Sequence, residues 1–401
     1  MINHIPKALI TQLKKDHEDI LKFLISNGYY IQNLPDDNRA LKDYGEAYSL
    51  AYPIQGILKY HGFTNPQDQI AYFPSISFCN DCVFTITYLK FDKSLKKDSA
   101  FLNGEQVFME VLNRIKRSLN FLRKYSNIKT KAILISRNFL NSPDLNEVGK
   151  GLGTSASGSA ALSLAAASVI YDNNHEYITN KRLISIFSRY LSGSGCRSAM
   201  GGISLWLSHP KIDPYDSYAI RLDNKRHQKL IENISLITIP IKSDLKTNQA
   251  HKSAPLSPFF LPWLKNRKTL ILEFFGAFDN NDFNTIGEIA EYDTLCLHSV
   301  AMTPRNNQLI AWTPDTLRIM HKVREMREEH GYNVYFSIDT GPSVVVLTRN
   351  HEKDKVFDEL KSIIPEHIII KGKIGGPSEI LDPNSQEAKK LDKDIEKFKV
   401  F

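Results

Sequence analysis

Gly151-Leu152-Gly153-Thr154-Ser155-Ala156-Ser157-Gly158-Ser159-Ala160-Ala161 packs glycine, hydroxyl and alanine residues together, directly ahead of the apolar run Leu162 to Ile170. A loop without bulky side chains that opens a helix presents unpaired backbone N–H groups and the positive end of the helix dipole, a combination that favours an anion. Lys150 adds a positive charge at its entrance. The same composition also fits a tight turn before a buried helix. The rest of the chain has to choose between a structural turn and a phosphate cradle.

Upstream of this stretch, Ala132 to Ser136 reads as a short strand and residues 105 to 126 as a helix with Val107, Val111, Ile115, Leu119 and Leu122 on one face. Val83 to Leu89 alternates as a half-buried strand does, and the run from Ala51 to Gly62 has strand character with Lys59 at its polar end. Residues 7 to 26 form an amphipathic pattern that reads as an appendage to the core. Downstream, Leu191 to Gly202 is a second glycine- and serine-rich loop. It carries Arg197, whose guanidinium suits bidentate capture of a carboxylate or phosphate. Leu236 to Ile241 is a strand, Lys246 to Lys252 a polar basic segment, and residues 255 to 330 largely helical. In Tyr335 to Leu347 a strand opens at Asp339 into a Gly-Pro turn and resumes at once. An acid there is a turn cap or a catalytic group mounted on a rigid sheet. Strands and helices mix without strict βαβ alternation, which predicts an α+β fold.

Composition narrows the function. With 401 residues, 42% apolar and 24% charged, the chain has the makeup of a globular protein of one large domain or two lobes. A net charge of +7 suits an anionic small molecule, and no nucleic-acid-binding module is present. No apolar run reaches membrane-spanning length and no signal-peptide core is found, so a cytoplasmic protein without membrane contact is expected. The four cysteines form no disulfide framework. Cys79-Asn80-Asp81-Cys82 has metal or redox spacing but lacks a second pair, so no metal site is assigned.

Taken together, these segments resemble the GHMP small-molecule kinase superfamily, and within it the mevalonate diphosphate decarboxylase family. The opening stretch is similar to the superfamily's phosphate loop, and Ile57-Leu58-Lys59-Tyr60-His61-Gly62 to the family's I-K-Y-W-G-K segment. Phe101-Leu102-Asn103-Gly104 resembles its W-L-N-G turn, and Gly193-Ser194-Gly195-Cys196-Arg197-Ser198 with Gly201-Gly202 its G-S-A-C-R-S-x-x-G-G loop. Asp216-Ser217-Tyr218-Ala219 resembles D-S-x-A, and Asp339-Thr340-Gly341-Pro342-Ser343 resembles D-A-G-P-N. The matches keep family order from about residue 50 to 385.

The resemblance implies a two-lobed fold, with a ribosomal protein S5 domain 2-like N-lobe over residues 48–225 and a ferredoxin-like C-lobe over 226–401. Residues 1–47 would be a helical extension. It implies a catalytic trio of Asp339, Lys59 and Arg197. Substrate or phosphate contacts would come from Tyr60, Lys150, Gly153, Thr154, Ser155, Ser157, Ser192, Ser194 and His251. Arg197 would hold the C1 carboxylate of a mevalonate, with Asp339 and Lys59 beside the C3 oxygen that leaves as phosphate.

Departures from the family fall on phosphate-handling loops. His61 replaces a tryptophan, Phe63 a basic residue, Glu147 to Lys150 the segment with the expected proline, and Lys246 to His251 the S-S-x-x-G-M segment. That pattern resembles the archaeal mevalonate 3,5-bisphosphate decarboxylases. They eliminate phosphate and CO2 from an already 3-phosphorylated substrate without ATP, giving isopentenyl phosphate. The expectation is therefore a carboxy-lyase of phosphorylated mevalonate in isoprenoid biosynthesis with no cofactor. The alternatives are an ATP- and Mg2+-dependent diphosphomevalonate decarboxylase, or a small-molecule kinase of the same fold. The sequence leaves oligomeric state open, with a homodimer as the expectation.

Overall fold

The computed structural model describes residues 5–29, 31–141, 152–243, 245 and 247–398. Three larger sheets carry the fold. A six-stranded sheet runs in the spatial order Glu379–Leu381, Gly45–Ala51, Val83–Asp92, Lys131–Leu140, Ser99–Leu102, Glu105–Gln106. All its pairings are antiparallel except the one between Ser99–Leu102 and Lys131–Leu140. A four-stranded sheet follows in the order Ala219–Arg221, Ile203–Trp206, Ser75–Cys79, Ile54–Leu58. A second four-stranded antiparallel sheet has the order Val334–Ile338, Val344–Arg349, Ile234–Ile239, Ile370–Lys373.

The Thr154–Ile170 helix explains the composition of the opening stretch. It is buried almost all round, and Ala160, Ala161, Ala165, Ala166 and Ala167 are fully enclosed. Small side chains let its backbone approach the Gly45–Ala51 and Val83–Asp92 strands closely, as close-packed interiors demand. Ser49 Oγ, on the first of those strands, donates to Ala161 O at 2.6 Å. At the helix start Gly153 takes φ +66°, a left-handed conformation that a residue with a Cβ enters at a penalty.

The second four-stranded antiparallel sheet is buried on both faces, and its side chains divide with period two. Ile237, Ile239, Val334, Phe336, Ile338, Val344 and Val346 pack on the Pro314–His330 and Lys353–Ile363 helices. Leu236, Tyr335, Val345 and Leu347 face the main core with Ile286, Ile289 and Ala290 of the Phe283–Met302 helix. Its valine- and isoleucine-rich sequence is what a sheet covered on both sides requires.

Several sequence expectations change. The Lys7–Ser26 helix is no appendage: Leu9, Ile10, Leu13, Ile20 and Leu24 join the largest apolar cluster, and Lys268 donates to Asp19 at 2.6 Å. Its apolar face was legible, but the surface it covers lies more than 200 residues away. The 226–401 lobe is not self-contained either. Glu379–Leu381 pairs with Gly45–Ala51, and Leu391, Ile395 and Phe398 pack against Tyr88 and Phe101 of the six-stranded sheet. Within the expected Leu191–Gly202 loop, Gly195–Met200 is helical, and the polar basic segment that follows Lys246 forms the Thr247–Ser253 helix. Cys79 and Cys82 are buried with their Sγ atoms on backbone carbonyls. Burial pushes both thiols up, so they are packing groups. Among the described residues no helix is long and apolar enough to cross a membrane.

Candidate active site

Lys59, Arg197 and Asp339 line one cleft of about 340 Å³, although they lie far apart in the chain. Asp339 stands at the end of the Val334–Ile338 strand, and Lys59 follows directly on the Ile54–Leu58 strand. Lys59 Nζ is 3.6 Å from Asp339 Oδ1. The ammonium is held from behind, donating to Gly56 O at 2.6 Å and to Ser337 Oγ at 2.7 Å. Ser337 passes its own proton to Gly56 O at 2.7 Å and accepts from Gln55 Nε2 at 2.9 Å. Gln55 Nε2 and the Gly56 N–H each reach Asp339 Oδ1 at 3.3 Å.

Lys59 is 3% exposed, whereas the side chain of Asp339, which lines the cleft, keeps 41% of its surface. The carboxylate thus faces the lumen while protein encloses its other sides. Burial lowers the Lys59 pKa and raises that of Asp339. The mutual attraction of the pair opposes both shifts, with Asp293 adding to it for Lys59 and Arg197 for Asp339. An anion entering the cleft would favour the ammonium.

Arg197 sits on the short Gly195–Met200 helix, 1% exposed, and its Nε and Nη1 have no hydrogen-bond partner. Buried guanidinium donors without acceptors are costly unless a ligand supplies them, and Arg197 lines the cleft where an anion can reach its guanidinium. The guanidinium lies 5.5 Å from the centroid of the Tyr60 ring. Tyr60 is in turn stacked on His251 at 5.0 Å and edge-on to Trp206 at 5.0 Å. Burial pushes the Tyr60 hydroxyl up to about 12, so it remains a neutral donor. His251 Nδ1 accepts the Gly62 N–H at 3.1 Å and burial holds the ring well below its usual range, which leaves the proton of the neutral imidazole on Nε2.

Gly153, Thr154, Ser155 and Ser194 also line the cleft, so the N-terminus of the Thr154–Ile170 helix points into it. Two expected contacts do not. Ser157 Oγ is 2.6 Å from Thr85 Oγ1 and also donates to Thr154 O, so it ties the helix to the sheet. Ser192 Oγ pairs with Ser194 Oγ at 3.1 Å, and of the two only Ser194 lines the cleft. Ser157 and Ser192 therefore support the site from outside. Lys150, Gly151 and Lys246 lie outside the described residues.

The sequence points to the basic Lys246–Lys252 segment but not to Gln55, Ser337, or the Arg114 and Arg117 that join Lys252 in a side pocket. That pocket, about 160 Å³, shares His251 with the cleft and is lined by Arg114, Arg117, Asn248 and Lys252. None of its three cations forms an ion pair with a carboxylate among the described residues, and Arg114 and Arg117 donate only to backbone carbonyls. Arg114 and Arg117 lie on the Met109–Ser126 helix and Lys252 on the Thr247–Ser253 helix, and folding brings them to a common cavity.

Known proteins similar to this chain are decarboxylases of phosphorylated mevalonates. Residues 51–219 match the model of the diphosphomevalonate decarboxylase-like N-terminal domain. A mevalonate 3,5-bisphosphate decarboxylase of Thermoplasma acidophilum is 28% identical over 361 residues, 90% of this chain and 84% of that protein. A phosphomevalonate decarboxylase of Haloferax volcanii is also 28% identical, over 84% of this chain and 98% of that protein. Among solved structures, the mevalonate diphosphate decarboxylase of Enterococcus faecalis superposes with a TM-score of 0.73 at 26% identity, covering 84% of this chain and 99% of that one.

Proposed function

From the match of residues 51–219 to the diphosphomevalonate decarboxylase-like N-terminal domain and the similarity to decarboxylases of phosphorylated mevalonates, we propose that the chain decarboxylates mevalonate 3,5-bisphosphate without nucleotide, releasing phosphate and CO2 and forming isopentenyl phosphate. The observation that carries the reading is one cleft lined both by Arg197, whose guanidinium has donors without protein partners, and by a Lys59–Asp339 pair 3.6 Å apart.

Arg197, whose guanidinium lines the cleft, takes the C1 carboxylate and fixes the C1–C2 bond. As the C3–O bond breaks, positive charge develops at C3, and the Asp339 carboxylate stabilises it. The Lys59 ammonium neutralises the departing phosphate, which carries away the electrons of the C3–O bond. The C1–C2 electrons become the C2=C3 double bond, and CO2 leaves. Thr154, Ser155 and the helix N-terminus assist at the phosphate. Arg114, Arg117 and Lys252 hold the remote 5-phosphate in the side pocket. Binding energy gained there is spent on orienting C1 and C3.

A second reading is ATP-dependent decarboxylation. It is favoured by the equal similarity to the Haloferax volcanii relative and by a cavity of about 210 Å³ beside Thr154 and Ser155, lined by Leu102, Val111 and Ile115. Two incubations separate them. CO2 from mevalonate 3,5-bisphosphate in nucleotide-free buffer supports the first reading. Its absence there, with CO2 and ADP from a 5-phosphorylated or 5-diphosphorylated mevalonate plus ATP, supports the second. ADP and a phosphorylated product without CO2 would make the protein a kinase.

A further inference from the structure

We propose that the buried Asp293–Arg267 pair is a positioning device for Lys59, gripping that residue's main chain from both sides so that its ammonium stays at the leaving phosphate. The inference rests on the role given to Lys59 above. Lys59 leaves the Ile54–Leu58 strand just where its backbone would lose ladder partners, and side chains replace them. Asp293 Oδ2, on the Phe283–Met302 helix, accepts the Lys59 N–H at 2.5 Å. Arg267 Nη2, at the start of the Arg267–Asp279 helix, donates to Lys59 O at 2.8 Å. The two gripping residues bond each other through Arg267 Nη1 and Asp293 Oδ1. Trp263 Nε1 donates to the same Oδ1 at 3.1 Å, and its ring lies 4.7 Å from the Arg267 guanidinium.

Both members of the pair are fully buried. A buried ion pair rarely gains over well-packed apolar residues, because desolvation offsets its attraction. Here the pair does what apolar residues cannot do. It supplies one donor and one acceptor, locked to each other, to a single peptide unit on either side of the Lys59 Cα. Three helical segments thereby fix the backbone from which the ammonium projects, and Gly56 O and Ser337 Oγ fix the other end of the side chain. The groups facing Lys59 are Asp339, Asp293, Arg267 and His298. Neutralising Asp293 would leave the Arg267 charge uncompensated next to the ammonium.

The test uses the full chain and two variants, with kcat expressed per folded molecule. Arg267→Lys keeps the charge but cannot bond Asp293 and Lys59 O together. It should lower kcat on mevalonate 3,5-bisphosphate about 10-fold, with KM within about threefold and the pH profile unmoved. Asp293→Asn should lower kcat about 10- to 100-fold and move the basic limb of kcat/KM to lower pH. The control is Asp98→Asn, which breaks the comparably buried Arg123–Asp98 pair outside the cleft. It should lower Tm while leaving kcat and pH profile unchanged. Wild-type kcat in Arg267→Lys overturns the proposal, as does a kcat loss in Asp293→Asn that Asp98→Asn reproduces at equal Tm. If Asp293→Asn does not fold, Arg267→Lys decides alone. Absence of turnover in the wild-type protein would instead refute the reading on which the inference rests.

Discussion

Replacing Gly56 by alanine probes how tightly the Lys59–Asp339 geometry is set. Gly56 lies in the Ile54–Leu58 strand with an ordinary negative φ, so alanine meets no backbone strain there. Its added Cβ would stand 2.9 Å from Asp339 Oδ1 and 3.0 Å from Lys59 Cγ, against both members of the pair whose charged atoms are 3.6 Å apart. Restoring an ordinary carbon–oxygen contact of about 3.5 Å requires a displacement of about 0.6 Å. A misplacement of about 1 Å at a reacting centre costs on the order of 100-fold in rate, so this shift should lower kcat about 10- to 50-fold, or about 1.4–2.3 kcal/mol of barrier. Substrate affinity should change less than threefold, because Arg197 and the basic side pocket are untouched. The assay is steady-state CO2 release on mevalonate 3,5-bisphosphate, with substrate Kd by calorimetry and Tm as the fold check. A kcat within twofold of wild type in a folded Gly56→Ala protein would refute the reasoning.

Arg197→Lys should weaken substrate binding more than 10-fold, since a point charge cannot reproduce the fork; a Kd ratio near one would count against the carboxylate role. Asp339→Asn should abolish CO2 release while leaving the substrate Kd within a few-fold, because its charge acts mainly as C3 becomes positive. In the free enzyme Asp339 must be ionised and Lys59 protonated. With the Asp339 pKa raised and the Lys59 pKa lowered, kcat/KM should fall on the acid side above the usual carboxylate range and on the basic side below the usual lysine range. The basic limb of kcat should lie at higher pH than that of kcat/KM, because bound phosphate favours the ammonium; coincident limbs would contradict this. His17, His61 and His298 are buried and lowered to about 3, 4 and 3, so they stay neutral in the fold when the unfolded chain already protonates. Stability should therefore be fully present above about pH 6.5 and fall as acid is added toward pH 4, which a Tm series across that range would check.

The parts of the site legible in sequence are those encoded locally. Lys59, Arg197 and Asp339 sit in short motifs whose order along the chain resembles the family. The glycines and serines around residues 151–159 need only neighbouring residues to be read as a helix-opening loop. What the sequence hid is tertiary. Asp293 and Arg267 lie on helices, more than 200 residues from the peptide units they bond, with nothing local to separate them from ordinary helical residues. Ser337 looks like one polar position in an apolar strand until Lys59 is brought beside it. Ser157 shows the opposite failure. Its hydroxyl belongs to the glycine- and serine-rich composition, yet helical spacing turns it toward Thr85 and away from the cleft. The Lys7–Ser26 helix was visible as an amphipathic pattern, but nothing local says that its apolar face completes the core.

The central claim is that the cleft of Lys59, Arg197 and Asp339 eliminates phosphate and CO2 together from a substrate already phosphorylated at C3. Its most direct test is a single-turnover reaction of the protein in excess over mevalonate 3,5-bisphosphate, free of nucleotide, with CO2 and inorganic phosphate measured in the same sample. The account predicts one CO2 and one phosphate released per substrate with identical time courses, and neither from Asp339→Asn. Phosphate released without CO2, or no release until ATP is added, would contradict it.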